Sequence, residues 1–164
     1  MASQKEEFIK LLNANQGIIY KICNLYANTN EDKKDLEQEI ILQLWKSFPN
    51  FKGRSKFSTW LYKIAFNTAI ANIRKSKKHP VFEAFSGKES NIPYIEDIDY
   101  FSDDINKLYK AIAKLKNLDK AIMILYLEKH SYLEISEIIG ITEKNVSVRL
   151  TRIKVRIKEV IKSF

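Results

Sequence analysis

Residues 131–156 read SYLEISEIIGITEKNVSVRLTRIKVR, and the fold follows from this stretch. Ser131 and Glu134 have the spacing of a capping box, in which the serine hydroxyl caps the backbone N–H of the glutamate and the glutamate reaches back. The capped segment is short and ends at Gly140, because the left-handed residue after a helix is usually glycine. Thr142 is a suitable N-cap for a second helix. The stretch therefore predicts a short helix, a tight turn and a longer helix.

The longer helix carries two stripes of side chains. Apolar residues recur at intervals of three and four from Val146 to Val160, and Arg149, Arg152 and Arg156 are offset to one side. A short helix, a glycine turn and a second helix with a basic outer face indicate a helix-turn-helix, whose second helix enters the DNA major groove. The alternative is a helical hairpin with a solvated face. We expect DNA contacts from Lys144, Asn145, Ser147, Val148, Arg149, Thr151, Arg152 and Arg156.

The rest of the chain also has helical periodicity. Only 4 glycines and 3 prolines occur in 164 residues, too few for the turns of an all-β fold. Apolar residues recur at helical spacing over residues 8–26, 36–48, 57–73 and 105–115, and residues 118–129 are apolar on most sides. We predict an all-α protein, with a single first helix over residues 8–26. Residues on these stripes are expected in the core, among them Cys23, Trp45 and Trp60.

Charge is distributed unevenly along the chain. The 28 basic and 20 acidic residues give a net charge of +8, which favours an anionic partner such as nucleic acid. Residues 52–82 hold eight basic side chains and no acid, residues 83–104 hold seven acids and one lysine, and residues 140–164 hold seven basic side chains and two acids. The order is basic, acidic, basic.

The acidic segment contains prolines and lacks helical periodicity, so it indicates a linker. The sequence therefore predicts two small helical domains, an N-terminal bundle over residues 1–78 and a C-terminal helix-turn-helix over residues 103–164. An acidic linker over residues 79–102 joins them.

Several functional classes find no support. His79 and His130 have no cysteine or carboxylate at metal-ligand spacing, and no glycine-rich phosphate loop occurs. We expect no catalytic residue, no metal and no cofactor. One cysteine, no apolar run of membrane-spanning length and no signal-peptide pattern predict a cytoplasmic protein without membrane insertion.

Two parts of the chain resemble a known family. Residues 132–152 resemble region four of bacterial sigma factors, a similarity shared with other helix-turn-helix regulators. More specific are residues 35–40 (DLEQEI), 44–48 (LWKSF) and 51–67 (FKGRSKFSTWLYKIAFN), which resemble region two. Two such domains in this order, with a short linker and little else, resemble the extracytoplasmic-function (ECF) class of sigma factor.

The resemblance implies a docking surface on the second predicted helix. Asp35, Gln38 and Glu39 share one helix face by their spacing. In the family this face docks on the clamp helices of the largest subunit of RNA polymerase, where carboxylates pair with arginines. Without the resemblance, an acidic, solvated helix start is the simpler interpretation.

The resemblance also implies that the N-terminal domain reads the −10 promoter element as single-stranded DNA. A flipped base needs an aromatic wall and amide hydrogen bonds, for which Phe51 and Asn67 are the candidates. Phe51 alternatively belongs to the core. The expected −10 contacts are Phe51, Lys52, Arg54, Lys56, Lys63, Asn67, Arg74 and Lys75.

The function implied is that of a sigma factor, which binds core RNA polymerase and directs promoter-specific initiation. It would be a monomer outside the holoenzyme, with an anti-sigma factor as a further partner. In the family the linker threads the polymerase channel that later carries RNA, and its acids could mimic phosphates. One alternative is a stand-alone helix-turn-helix regulator that binds duplex DNA, usually as a dimer. Another is a basic scaffold that binds RNA without sequence preference.

Overall fold

The computed structural model describes residues 3–77 and 102–164. Within these ranges the chain forms α-helices, one short 3₁₀ helix and no strand, so the all-α prediction is confirmed. The described residues fall into an N-terminal and a C-terminal compact unit. The predicted acidic linker lies outside the described residues except for Ser102, and the predicted domain bounds stay a prediction.

The N-terminal unit is a helical bundle. Its core lies where α2, α3 and α4 pack against one another, and it includes Ile22, Ile40, Leu44 and Leu61, none of which is exposed. The elements are α1 (Gln4–Ala14), α2 (Gln16–Tyr26), α3 (Asn30–Ser47), the 3₁₀ helix (Phe48–Asn50) and α4 (Phe57–Lys77).

Two expectations about this unit are wrong. The single helix predicted over residues 8–26 is broken at Asn15, whose backbone leaves the helical region at φ −123° and ψ 16°. The Asn15 side-chain Nδ2 donates to the carbonyl of Leu11 at 2.8 Å, a local bond that competes with helix continuation. Trp45 packs on Phe8, with ring centroids 5.1 Å apart, yet it is 39% exposed and does not belong to the closed core. Trp60 is half-buried, whereas Cys23 is buried as expected.

The C-terminal unit is built around its last helix. Its elements are α5 (Asp103–Ala113), α6 (Asn117–Leu127), α7 (Tyr132–Ile139) and α8 (Glu143–Lys162). Helix α8 contacts each of the other three. Residues 120–125 of α6 are all buried, which confirms the prediction that this helix is covered on most sides.

The helix-turn-helix forms with the predicted caps. The Ser131 hydroxyl accepts a hydrogen bond from the Glu134 backbone N–H at 3.1 Å, and the Glu134 carboxylate accepts from the Ser131 backbone. Gly140 is left-handed at φ 82°, and the Thr142 hydroxyl accepts from the Asn145 N–H at 3.1 Å. The Ser136 hydroxyl donates across the turn to the Ile141 carbonyl at 2.6 Å. These bonds fix the direction in which α8 leaves the turn.

The start of α7 is charged. His130 Nδ1 lies 3.0 Å from a carboxylate oxygen of Glu134. Hydrogen bonds from His130 and then Ser131 lower the pKa of the Glu134 carboxyl, which keeps the capping group ionised.

We predict that Gly140→Ala destabilises the C-terminal unit. A side chain with a Cβ is strained at φ 82°, which costs about 1 kcal/mol of unfolding free energy. Gly140→Asn should cost less, because asparagine tolerates the left-handed region. Hydrogen exchange of α7 and α8 amides measures both variants. An alanine variant as protected as the wild type would show that the turn does not need this conformation.

Candidate nucleic-acid interface

The outer face of α8 carries the predicted DNA-contacting residues. Its inner face is closed, because Val146, Leu150, Ile153 and Ile157 are buried. Seven of the eight predicted contacts are exposed, and Arg149 is half-buried. The exposed ones are Lys144, Asn145, Ser147, Val148, Thr151, Arg152 and Arg156.

Arg149 takes part in an ion pair within the unit. Its Nη1 lies 3.2 Å from Oδ1 of Asp119, and this contact joins the second turn of α8 to the first turn of α6. The Arg149 side chain is 42% exposed and that of Asp119 is 21% exposed. Because a guanidinium has five N–H donors, the pair fixes the side chain without using all of them. Sequence reasoning missed Asp119, which is 30 residues away along the chain.

A groove of about 970 Å³ runs along one side of this helix. One wall is α8, including Asn145, Val148, Arg149 and Arg152. The other wall is the connection from α5 to α6 over residues 114–116, together with Asp119 in the first turn of α6. Lys114 and Lys116 line that second wall. The sequence pattern does not point to these two lysines, because periodicity cannot show which connection lies beside a helix.

The predicted docking face lies on α3. Asp35 and Gln38 are exposed, and Glu39 is half-buried, accepting a hydrogen bond from Gln43 Nε2 at 3.0 Å. As predicted, Leu36 is buried on the opposite side, together with Ile40 and Leu44.

An exposed leucine extends this face of α3. Leu42, which is 44% exposed, lies seven residues after Asp35 and therefore on the same side. The available signal was an apolar residue that falls off the apolar stripe of its helix.

Phe51 belongs to an aromatic cluster beside a basic loop. Its ring centroid lies 6.2 Å from that of Phe48, 5.7 Å from that of Phe57 and 5.0 Å from that of Trp60. Phe51 and Trp60 are both half-buried, so each keeps part of its ring accessible. Phe51 therefore has a packing role whether or not it also meets DNA. The loop bases Lys52, Arg54 and Lys56 are exposed.

Helix α4 presents a polar stripe beyond this cluster. Lys63, Asn67 and Arg74 are exposed and share one side of the helix, and the exposed Lys75 is adjacent in sequence to Arg74. Asn67 lies seven residues after Trp60, about 10 Å along the helix axis. The structure therefore brings Phe51 to Trp60 and places Asn67 two turns further along.

Other chemistry finds no site in the described part of the chain. Residues 3–77 and 102–164 contain no group of three or more His, Cys, Asp or Glu that could hold a metal ion. Burial, followed by the charge of Glu37, raises the pKa of the Cys23 thiol to about 12, so it stays protonated. Across the same ranges, no helix is both long enough and apolar enough to cross a bilayer.

The two units match two models of one family in chain order. Residues 11–79 match sigma-70 region 2, and residues 105–157 match sigma-70 region 4. Together the matches span well over half of the chain. The chain therefore belongs to the sigma-70 family of RNA polymerase sigma factors.

Relatives that match over most of their length indicate which class of sigma factor this chain resembles. The chain is 28% identical to the ECF RNA polymerase sigma factor SigW of Bacillus subtilis, with 90% of this chain and 85% of SigW covered. It is 27% identical to the ECF RNA polymerase sigma-E factor of Haemophilus influenzae, with coverage of 96% and 88%. The sigma factor RpoE of Bartonella quintana, solved with the anti-sigma factor NepR, matches in fold at a TM-score of 0.73 and 22% identity over 96% of both chains.

Within the family the chain is an ECF-class sigma factor, as its sequence indicated. It binds core RNA polymerase and promoter DNA and directs promoter-specific transcription initiation. The alternative of a stand-alone regulator is not favoured.

We predict a measurable coupling between Asp119 and Arg149. In a double-mutant cycle with alanine at both positions, the coupling free energy should be about 0.2–1 kcal/mol, the range for partly exposed pairs. Hydrogen exchange in the C-terminal unit supplies the unfolding free energies. The same cycle between Asp119 and Arg152 is the control and should give none. Equal values in the two cycles would contradict the ion pair.

Proposed function

We propose that this sigma factor uses three surfaces: a face of α3 for polymerase docking, the aromatic cluster with α4 for the −10 element, and the outer face of α8 for the −35 element. The N-terminal domain, residues 1–78, docks on polymerase and holds the opened −10 element, whereas the C-terminal domain, residues 103–164, reads the −35 duplex. The acidic linker, residues 79–102, joins them. The observation that carries the proposal is the outer face of α8, where seven of eight predicted contacts are exposed opposite a closed apolar stripe.

Helix α8 has the dimensions and side chains for the major groove. A helix with its side chains is about 10–12 Å across, and the groove is about 12 Å wide. Arginine pairs with guanine, asparagine with adenine, and an apolar side chain with the thymine methyl group. Arg152, Asn145 and Val148, all exposed, supply one of each kind. Arg156 and Lys144 are assigned to phosphates or base edges, and Ser147 and Thr151 to adjacent polar contacts.

Docking is assigned to α3. The face of Asp35, Gln38 and Glu39 would meet arginines on the clamp helices of the largest polymerase subunit, because carboxylate–guanidinium bonds are strong and directional. Exposed Leu42 on the same side adds apolar area, which stabilises association without a directional requirement. An acidic face is unsuited to DNA, which supports a protein partner here.

The −10 element is assigned to the aromatic cluster and the α4 stripe. Phe51 would stack a flipped base, and Asn67 would bond a base edge two turns away along α4. Exposed Lys52, Arg54, Lys56, Lys63, Arg74 and Lys75 would follow the phosphates of the single strand.

The proposed role as a sigma factor also suggests a protein partner, a cellular location and an oligomeric state. RpoE of Bartonella quintana was solved with an anti-sigma factor, and we propose a partner of that kind for this chain. We also propose a cytoplasmic protein that is a monomer outside the holoenzyme. The sigma-70 family is not an enzyme family, and polymerase would carry out the chemistry.

We predict that Asp35→Lys with Gln38→Lys abolishes polymerase binding in a pull-down of core enzyme. Two new lysines would face arginines, and like charges repel. The helical circular dichroism should not change, because both side chains are exposed.

The control for this docking experiment is Glu7→Lys with Asn13→Lys on α1, which makes the same charge change at exposed positions. It should bind polymerase like the wild type. Normal holoenzyme formation by the α3 variant would show that polymerase docks elsewhere.

We predict that Asn67→Ala impairs strand opening alone. Opening costs about 1.4 kcal/mol of stacking per step, and capture of a flipped base recovers part of it. Polymerase binding and upstream duplex binding should persist, while the permanganate-reactive open complex decreases. A pre-melted bubble template should partly restore transcription.

Asn13→Ala, at an exposed asparagine of α1, is the matched control for strand opening. It should melt the promoter normally. If Asn67→Ala also does so, the −10 contact lies elsewhere on α4.

A further inference from the structure

The groove beside α8 has a second wall that the assignments above leave unused. The connection from α5 to α6 lies beside α8 because α5 and α6 each pack on α8. Leu115 is buried at 9% exposure, and its backbone N–H donates to the Ile112 carbonyl at 3.0 Å. The connection is thus anchored at its centre, while Lys114 and Lys116 on either side are exposed.

The charge of the groove favours an anion. Its lining includes five basic side chains and two carboxylates. One of the carboxylates, Asp119, is already paired with Arg149. Lys114 Nζ lies 4.9 Å from the centroid of the Phe164 ring, a cation–π contact that restrains the side chain while leaving its ammonium group charged.

The position of this wall identifies the part of DNA that it would meet. A helix that lies in the major groove has a sugar–phosphate strand on each side of it. The base-reading side chains stand on α8 itself, whereas Lys114 and Lys116 stand beside it across the groove. A strand that flanks α8 on this side therefore passes the two lysines with its phosphates.

We propose that Lys114 and Lys116 bind the phosphate backbone of the promoter duplex next to the −35 element. This proposal rests on the proposed reading of duplex DNA by α8. Asn145, Val148 and Arg152, which are assigned to base contacts, line the same groove as the two lysines. One DNA ligand would therefore cover both walls, which favours DNA over an acidic polypeptide as the partner of the lysines. The two lysines extend the interface beyond the recognition helix and position the duplex on it.

The test measures binding of holoenzyme to a duplex that contains the −35 element, over a range of salt concentrations. Lys114→Ala and Lys116→Ala should each weaken binding several-fold, equally for the −35 sequence and its base-substituted versions. Each should lower the slope of log affinity against log salt by about one. Lys116→Arg should restore binding, because it restores the charge.

Lys107→Ala is the matched control, since Lys107 is an exposed lysine of α5 that does not line the groove. It changes the net charge equally and should leave the slope unchanged. The side chain of Lys116 makes no capping hydrogen bond to α6, so Lys116→Ala should keep the unfolding transition of the wild type.

Arg152→Ala separates this proposal from the assignment of α8. If Arg152→Ala impairs binding but the lysine variants behave like Lys107→Ala, the second wall does not contact DNA and the proposal is overturned. If the lysine variants bind DNA normally and lose only the binding of an acidic polypeptide, the proposal is overturned equally. If Arg152→Ala also leaves binding intact, the assignment of α8 is itself wrong.

Discussion

Burial of the apolar stripe of α8 is the constraint on which the C-terminal unit depends. Val146, Leu150, Ile153 and Ile157 close against α5, α6 and α7. Full burial of such a side chain stabilises the fold by about 1.5–3 kcal/mol, whereas a partly exposed ion pair contributes about 0.2–1 kcal/mol. Burial of the stripe therefore fixes the orientation of α8 about its own axis, and this orientation determines where its polar side chains lie. Once it is buried, Asn145, Val148 and Arg152 must face outward, and the groove must lie beside them.

The sequence predicts the helices well where one local rule decides. The capping box, the left-handed Gly140 and the Thr142 cap each involve residues within a few positions, so their bonds can be read without knowing the fold. The same reasoning missed the break at Asn15, because the apolar stripe continues through it while a side-chain bond to Leu11 ends the helix. It also placed Trp45 in the core, because periodicity assigns a face but not how far that face is covered.

In the candidate site, too, features set by neighbouring residues could be predicted from the sequence, whereas contacts between distant residues could not. Periodicity correctly assigned the exposed face of α8 and the face of α3 opposite Leu36. It could not show that Asp119 reaches Arg149, or that the connection from α5 to α6 forms a groove wall, because both depend on tertiary packing. Phe51 is an intermediate case: its aromatic character suggested a base contact, and its packing against Trp60 also gives it a structural role.

The separation of charges among helices explains why this protein acts through polymerase. The acidic face of α3 would repel DNA phosphates, and the basic face of α8 attracts them, so the two contacts cannot share one surface. A single helix-turn-helix buries only about 600–1,000 Å² on DNA, which limits its affinity. If polymerase holds the two proposed DNA-contacting domains at once, the second contact becomes intramolecular and gains effective concentration. Under the proposed assignment, weak and separate surfaces would therefore be sufficient, and promoter choice would depend on both elements being present at the correct spacing.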